Sequence, residues 1–457
     1  MELSFRIAFA VALLLAHAPF AVAFLRSIRR RQVPGVLLFA VLGVLLYYDL
    51  GFALQAFGWA FPSPYFPSLG SYDVEDFVTV GLVILATPYL LAIGYRTVAG
   101  RLEELPAAPA LDFAPRLKPI FLALFLPVCL LLGLVGFAAI RGATSAAEVK
   151  LLWVGILGGG YIAFLMPMFV LAFYLRTQDS GTRAGRFIVF FLLAASVSAT
   201  LFLGQRTMTL LPFLMLALFR ARLSTMRLAL SIALLFAFAS VALVFYKGYA
   251  VRQDLDILQR AEMVVGADLV RANVLARAIR ESEPLGSRLL PVAGQGYFYT
   301  VLFYLPRSWA PQKGYSTAAY FTAFANGEET EFVAWGLGLG FLEEIILNFG
   351  FLAVVPGVVL YGFGLGLLER FSRAFGGTLV GTRLAAIWMC GYVLPSVVLY
   401  FGTMTVFAML LESFFIRRES PSAPPCLVSR YPPFRHSFYG DADGDRRAPI
   451  RREVIHE

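Results

Sequence analysis

Long apolar runs fill most of the chain, and short arginine-bearing stretches interrupt them at near-regular intervals. Runs at 5–25, 34–60, 76–95, 119–140, 151–175 and 187–204 are long enough for a helix to cross a hydrocarbon core of roughly 30 Å. Two shorter runs follow at 207–219 and 228–246, and after a polar interval come 341–368, 384–400 and 402–416. The pattern predicts an all-α polytopic membrane protein with about eleven transmembrane helices. The first run permits two readings. Ala21-Val22-Ala23 resembles the small-residue cleavage site of a signal peptide, whereas Arg26, Arg29, Arg30 and Arg31 just after it resist translocation and favour a retained anchor.

Charge supplies the orientation. Cationic residues gather in alternate loops: Arg96, Arg101, Arg116 and Lys118; Arg176, Arg183 and Arg186; Arg220, Arg222 and Arg227; Arg370, Arg373 and Arg383. The intervening short loops carry only Arg141, Lys150 and Arg206. Cytoplasmic loops are the ones enriched in Lys and Arg, so the N-terminus is expected outside and the C-terminus inside. The chain then divides into residues 1–247 with helices one to eight, a large periplasmic loop at 248–340, helices nine to eleven at 341–416, and a tail at 417–457. The tail is rich in Pro, Ser and Arg without apolar periodicity, which predicts a disordered cytoplasmic end. Within the outer loop, 254–283 has apolar residues at helical spacing with charges opposite. It is either an amphipathic helix at the membrane surface or an ordinary helix packed on a core of the loop. Residues 297–304 are apolar but too short to span, and suit a dip into the membrane or a lid over a cavity.

Composition narrows the class. The chain of 457 residues is 59% hydrophobic and 15% charged, with a mean hydropathy of +0.75. A soluble domain carries about 25% charged residues, so a soluble enzyme, a nucleic-acid binder and a disordered scaffold are all excluded. The net charge of +9 describes placement in the bilayer. Cys129, Cys390 and Cys426 have no paired spacing and suggest neither disulfides nor a metal knuckle.

Polar groups at membrane depth or at its outer edge are costly, which makes them the first candidates for function. Gly204-Gln205-Arg206-Thr207 interrupts the apolar stretch 187–219 and brings Arg206 to the outer boundary. Its planar fork suits a phosphate, although a headgroup anchor would look the same. Leu305 to Lys313 is stiffened by two prolines and carries Arg307 and Lys313 beside Trp309, a combination that suits an anionic, sugar-bearing ligand. At the start of the ninth span, Glu344 and Asn348 lie four residues apart on one helix face. Desolvation poises such a carboxylate as a proton acceptor, whereas the bland alternative is an acid at a helix start. The glycines from Gly350 to Gly366 along that span permit close packing on a neighbour. Asp73-Val74-Glu75-Asp76 in the first outer loop is either an acidic catalytic pair or the polar cap of the third span. His17 stands alone in the first span, with His436 and His456 in the tail. No nucleotide loop, zinc spacing or Ser/His/Asp set is visible, so neither a cofactor nor a metal is expected.

The basic segment Leu305–Lys313, followed by Glu344-x-x-x-Asn348-Phe349-Gly350 and a Gly-rich span, resembles the O-antigen or oligosaccharide repeat-unit polymerases of the Wzy type. The turn at Arg206 resembles that family's arginine-bearing turn, and the plan of many spans with one late outer loop agrees. The resemblance implies a glycosyltransferase of the bacterial inner membrane that joins undecaprenyl-diphosphate-linked glycan units on the periplasmic face. Its partners would be a lipid-linked donor and acceptor, the bilayer and a chain-length regulator, with no nucleic acid. Arg206, Arg252, Arg307 and Lys313 would clamp the departing diphosphate, and Glu344, oriented by Asn348, would be the base. Related O-antigen ligases carry an outward-facing histidine that this chain lacks. The rival readings are a polyprenyl-phosphate-sugar-dependent glycosyltransferase centred on Asp73 or Glu75, and a flippase or exporter of lipid-linked glycans.

Overall fold

The computed structural model describes residues 2–29, 34–59, 67–99, 111–113, 256, 270–282, 289–302, 309, 314–327, 329–330, 338–374, 379–392, 394–402, 405–406 and 416–418. Their regular structure is helical apart from one short antiparallel ladder, β1 (Leu111–Phe113) with β2 (Ile416–Arg418), which ties the loop after the third span to the start of the tail. Four helical stretches are long and apolar enough to cross a membrane: Leu3–Ser27, Val36–Ala56, Val74–Val98 and Phe351–Ser372. All four coincide with runs predicted from hydropathy. The runs between 119 and 246 lie outside the described residues, as do Arg206, Arg252, Arg307 and Lys313.

Helix α1 (Glu2–Arg29) packs on α2 (Val36–Val44), α3 (Leu50–Ala56) and α4 (Val74–Ala99). Between α2 and α3, residues Leu45–Asp49 form a π-turn inside what is otherwise one span. Side chains Phe9, Phe52 and Phe77 interlock the bundle, with Phe52 and Phe77 stacked at 4.5 Å between centroids. At one end of the bundle, the buried Arg6 guanidinium donates to the carbonyls of Leu69 and Tyr72. At the opposite end, Arg383 and Glu369 pair beside Pro34 and Val36.

The run 341–368, expected as one span, is two helices. Helix α8 (Phe341–Phe349) ends at Gly350, whose φ of 86° is a left-handed value that a side chain would strain. A 3₁₀ turn at Phe351–Ala353 then leads into α9 (Val354–Ala374), so the crossing segment begins at Phe351 rather than at residue 341. The glycines of α9 do what small residues do in membrane helices. A Cβ at Gly362 would collide with the Leu91 carbonyl of α4, and one at Gly94 with the Val359 carbonyl of α9. The two backbones therefore touch.

Before α8 come α5 (Arg271–Glu281), α6 (Gln295–Leu302) and α7 (Thr317–Asn326). Of the stretch 254–283, the described helix α5 is buried along most of its surface and packs on α4 and α8. It is anchored by Gln55, whose amide donates to Asn273 Oδ1 at 2.6 Å while its own carbonyl accepts from Leu69 N. This burial favours a packed helix over one lying on a lipid surface, and its partners are the spans themselves rather than a separate core of the loop. After α9, helix α10 (Leu379–Trp388) packs on α2, and a short α11 (Leu394–Val397) follows.

Arg6, the 69–72 turn and α5 share one end of the bundle, which the charge pattern places outside. Cysteines introduced at the exposed positions Ser71 and Glu329, with Cys129 and Cys426 changed to Ser, are therefore expected to react with an impermeant thiol reagent in intact spheroplasts. Reaction only after permeabilisation would invert the topology.

Candidate functional site

The polar face of α8 is built as its spacing requires. Glu343, Glu344 and Asn348 are all completely buried. Asn348 Oδ1 accepts from Gly296 N of α6 at 2.8 Å, and its Nδ2 donates to the Glu344 carbonyl at 2.7 Å and to Thr317 Oγ1 at 3.2 Å. The Thr317 hydroxyl in turn lies 3.5 Å from Glu344 Oε1, while Leu394 N donates to Glu344 Oε2 at 2.9 Å. Asn348 thus acts on the Glu344 carboxylate through Thr317, not by direct contact between the two side chains. Gly296 is required here, since a Cβ on it would collide with Thr317 Oγ1. One amide therefore fastens α6, α7 and α8 around a single carboxylate.

Glu343 points the other way along the same turn. Tyr48 of the π-turn donates its hydroxyl to Glu343 Oε2 at 2.7 Å, and Gly340 N donates to the same oxygen at 2.9 Å, closing the N-terminus of α8. Arg271 of α5 faces this carboxylate, and its guanidinium also donates to the Gly338 carbonyl. Oε1 of Glu343 has no hydrogen-bond partner among the described residues. Glu343, Tyr48, Arg271 and Thr317 are the members of this cluster that sequence reading did not assemble. Only Glu343 had a local signal, its adjacency to Glu344.

A cavity of about 1170 Å³ runs past Ile345 and Leu394, which adjoin Glu344 in sequence and through the Leu394 N–H; Glu344 itself does not line it. Tyr297, Ile345 and Leu394 flank it near the carboxylate, and it follows α9 past Tyr361 and Leu365 to Arg370 and Phe371. Nearly all its walls are apolar. The Tyr361 hydroxyl lies 3.3 Å from that of Tyr297, so two phenols share one stretch of the wall. The stretch 297–304, expected as a dip or lid, supplies Tyr297 to this wall.

The acids of the first outer loop form a helix cap. Asp73 Oδ1 accepts from Asp76 N at 2.8 Å at the start of α4, and Asp73 and Glu75 are exposed. Glu329 is exposed as well. His17 does not stand alone: its Nδ1 lies 2.6 Å from Asp49 Oδ2, a pairing between spans that the sequence reading missed. Among the described residues, no three His, Cys, Asp or Glu side chains gather as a metal ion would need. Comparison with protein-family models, with curated proteins and with solved structures gives no match. The chain is a membrane protein with several candidate spans.

Proposed function

We propose that the chain is an inner-membrane glycosyltransferase that polymerises undecaprenyl-diphosphate-linked oligosaccharide repeat units on the periplasmic face. The observation that carries this reading is the juxtaposition of Glu344 with the apolar cavity along α9. A lipid-linked sugar needs an apolar groove for its chain near a polar centre for its reacting end, and here the Ile345 and Leu394 side of the wall lies between the two.

In the proposed reaction, a hydroxyl oxygen of the acceptor unit attacks the anomeric carbon of the donor glycan. The bond from that carbon to the diphosphate oxygen breaks, and the electron pair leaves with the lipid diphosphate. Glu344 accepts the proton of the attacking hydroxyl. Thr317 and Leu394 N now occupy its two oxygens, so an acceptor hydroxyl reaches the carboxylate by displacing one of them. Arg206, Arg252, Arg307 and Lys313 are the proposed clamp for the diphosphate, since fixed cations aimed at a developing anion lower its energy most in a dry site. The exposed, cap-forming geometry of Asp73 gives the rival glycosyltransferase reading no comparable support.

Sizing the lipid-linked and exported glycans of a deletion strain tests the reading. Single repeat units on the outer face are the expected product. Units retained on the cytoplasmic face would instead indicate a lost flippase, and normal polymer would remove the assignment altogether.

A further inference from the structure

The pair His17–Asp49 is used by none of the proposed chemistry. Each residue sits near the middle of its candidate span, His17 within Leu3–Ser27 and Asp49 within Val36–Ala56. The two side chains are 0% and 1% exposed. Nδ1 of His17 is 2.6 Å from Asp49 Oδ2, and Nε2 is 3.1 Å from the Leu85 carbonyl, near the middle of the third span Val74–Val98. Three spans meet at one imidazole.

Hydrogen bonding fixes the number of protons in this arrangement. A carbonyl only accepts, so Nε2 carries a hydrogen. The approach of Nδ1 to Oδ2 is then that of a short, charge-assisted hydrogen bond. Two lone pairs at that distance would repel, so a second hydrogen lies between nitrogen and oxygen, whichever atom it formally belongs to. With two hydrogens, His17 and Asp49 together carry no net charge, which is the form that burial between apolar helices tolerates. With one, a carboxylate would stand against a lone pair, and its Oδ1 already lacks a partner among the described residues. The site therefore closes only when it has taken up a proton.

Other titratable groups facing the pair are Tyr89 of α4, whose ring lies 6.2 Å from that of His17, and the Cys390 thiol on the turn after α10, which senses Asp49. Tyr89 spends its hydroxyl on the Ala16 carbonyl and Cys390 its thiol on the Ala40 carbonyl, so neither relieves Asp49. Asp49 also closes the π-turn Leu45–Asp49, a deformation found often at functional sites. Its neighbour Tyr48 leaves the same turn in the other direction to hold Glu343. The turn thus joins the His17 pair to the helix that carries Glu344.

We propose that His17 and Asp49 form an intramembrane proton-binding site whose ligand is one exchangeable proton, bound between α1 and the π-turn of the second span. This stands independently of the polymerase reading.

The chain contains three histidines, His17, His436 and His456. In the full-length protein with His436→Gln and His456→Gln, ¹⁵N-histidine labelling leaves His17 as the sole imidazole signal for magic-angle-spinning spectra in lipid bilayers. At pH 7.5 a free imidazole carries one ring hydrogen, with roughly a tenth of the population carrying two. The expected spectrum has Nε2 bonded to hydrogen and Nδ1 sharing a hydrogen with the carboxyl, in nearly all molecules. A free lone-pair signal for Nδ1 at pH 7.5 overturns the proposal. Asp49→Asn keeps the shape and removes the shared proton, so Nδ1 or Nε2 is then expected to return to the free imidazole pattern. An unchanged spectrum in that variant would overturn it equally, and the unsubstituted Asp49 spectrum decides the matter even if the variant does not fold.

Discussion

Replacing Glu344 by glutamine is expected to cut glycan transfer by roughly two to four decades, the usual contribution of a positioned acid or base. The fold should survive the change. Glutamine keeps the volume of a completely buried side chain, its carbonyl can still accept from Leu394 N, and its amide can donate to Thr317. Binding of lipid-linked substrate should be retained, because the cavity along α9 is lined by other residues. Glu343→Gln is the informative companion. That carboxylate is held by Tyr48 and Gly340 and caps α8, so its loss should lower the stability of the helix more than the rate per folded molecule. Transfer and bound substrate, measured on purified variants matched for folded protein, check both. Near-normal transfer by Glu344→Gln would sink the base assignment.

Arg383→Ala should be the most destabilising single change at the opposite end of the bundle. Arg383 and Glu369 are 5% and 3% exposed, and their pairing at 3.3 Å is one strand of a knot. Arg383 Nε also donates to the Pro34 carbonyl at 2.8 Å, and Val36 N donates to Glu369 Oε2 at 2.7 Å. The start of α2 is thereby tied to both α9 and α10. Removing one partner of a buried ion pair typically costs about 3–5 kcal/mol. By contrast Arg277 and Glu281, at 34% and 25% exposure on α5, form a pair four residues apart worth only about 0.3–0.5 kcal/mol. Unfolding midpoints in detergent should therefore fall sharply for Arg383→Ala and barely move for Glu281→Ala. Equal midpoints would mean that the buried knot does not hold these helices together.

How much of this was legible in the sequence follows from the range of each interaction. The four described spans follow from hydropathy, because a helix in lipid needs only local apolar residues and satisfies its own backbone. The polar stripe of Glu344 and Asn348 was legible for the same reason, since residues four apart share a helix face. The break at Gly350 was not. Its apolar neighbours on both sides look continuous, and only the positive φ separates α8 from α9. Nor were the partners legible. Thr317 and Gly296 stand 27 and 52 residues from the carboxylate and the amide they meet, in a segment whose packing has no local signature. His17 and Asp49 are separated by 32 residues and lie on different spans, so each looked like an isolated polar intruder. The capping role of Asp73 was one of two local readings, and the geometry of the α4 N-terminus selects it.

In the proposed reaction, Glu344 and the nearby cavity along α9 serve glycan transfer between lipid-linked units. It is tested most directly by reconstituting the purified full chain in liposomes with an undecaprenyl-diphosphate-linked repeat unit as the only glycan. The expected products are longer by whole repeat units, with one undecaprenyl diphosphate released for each bond formed, and they are lost in Glu344→Gln. Repeat units that remain single while crossing from one leaflet to the other would contradict it.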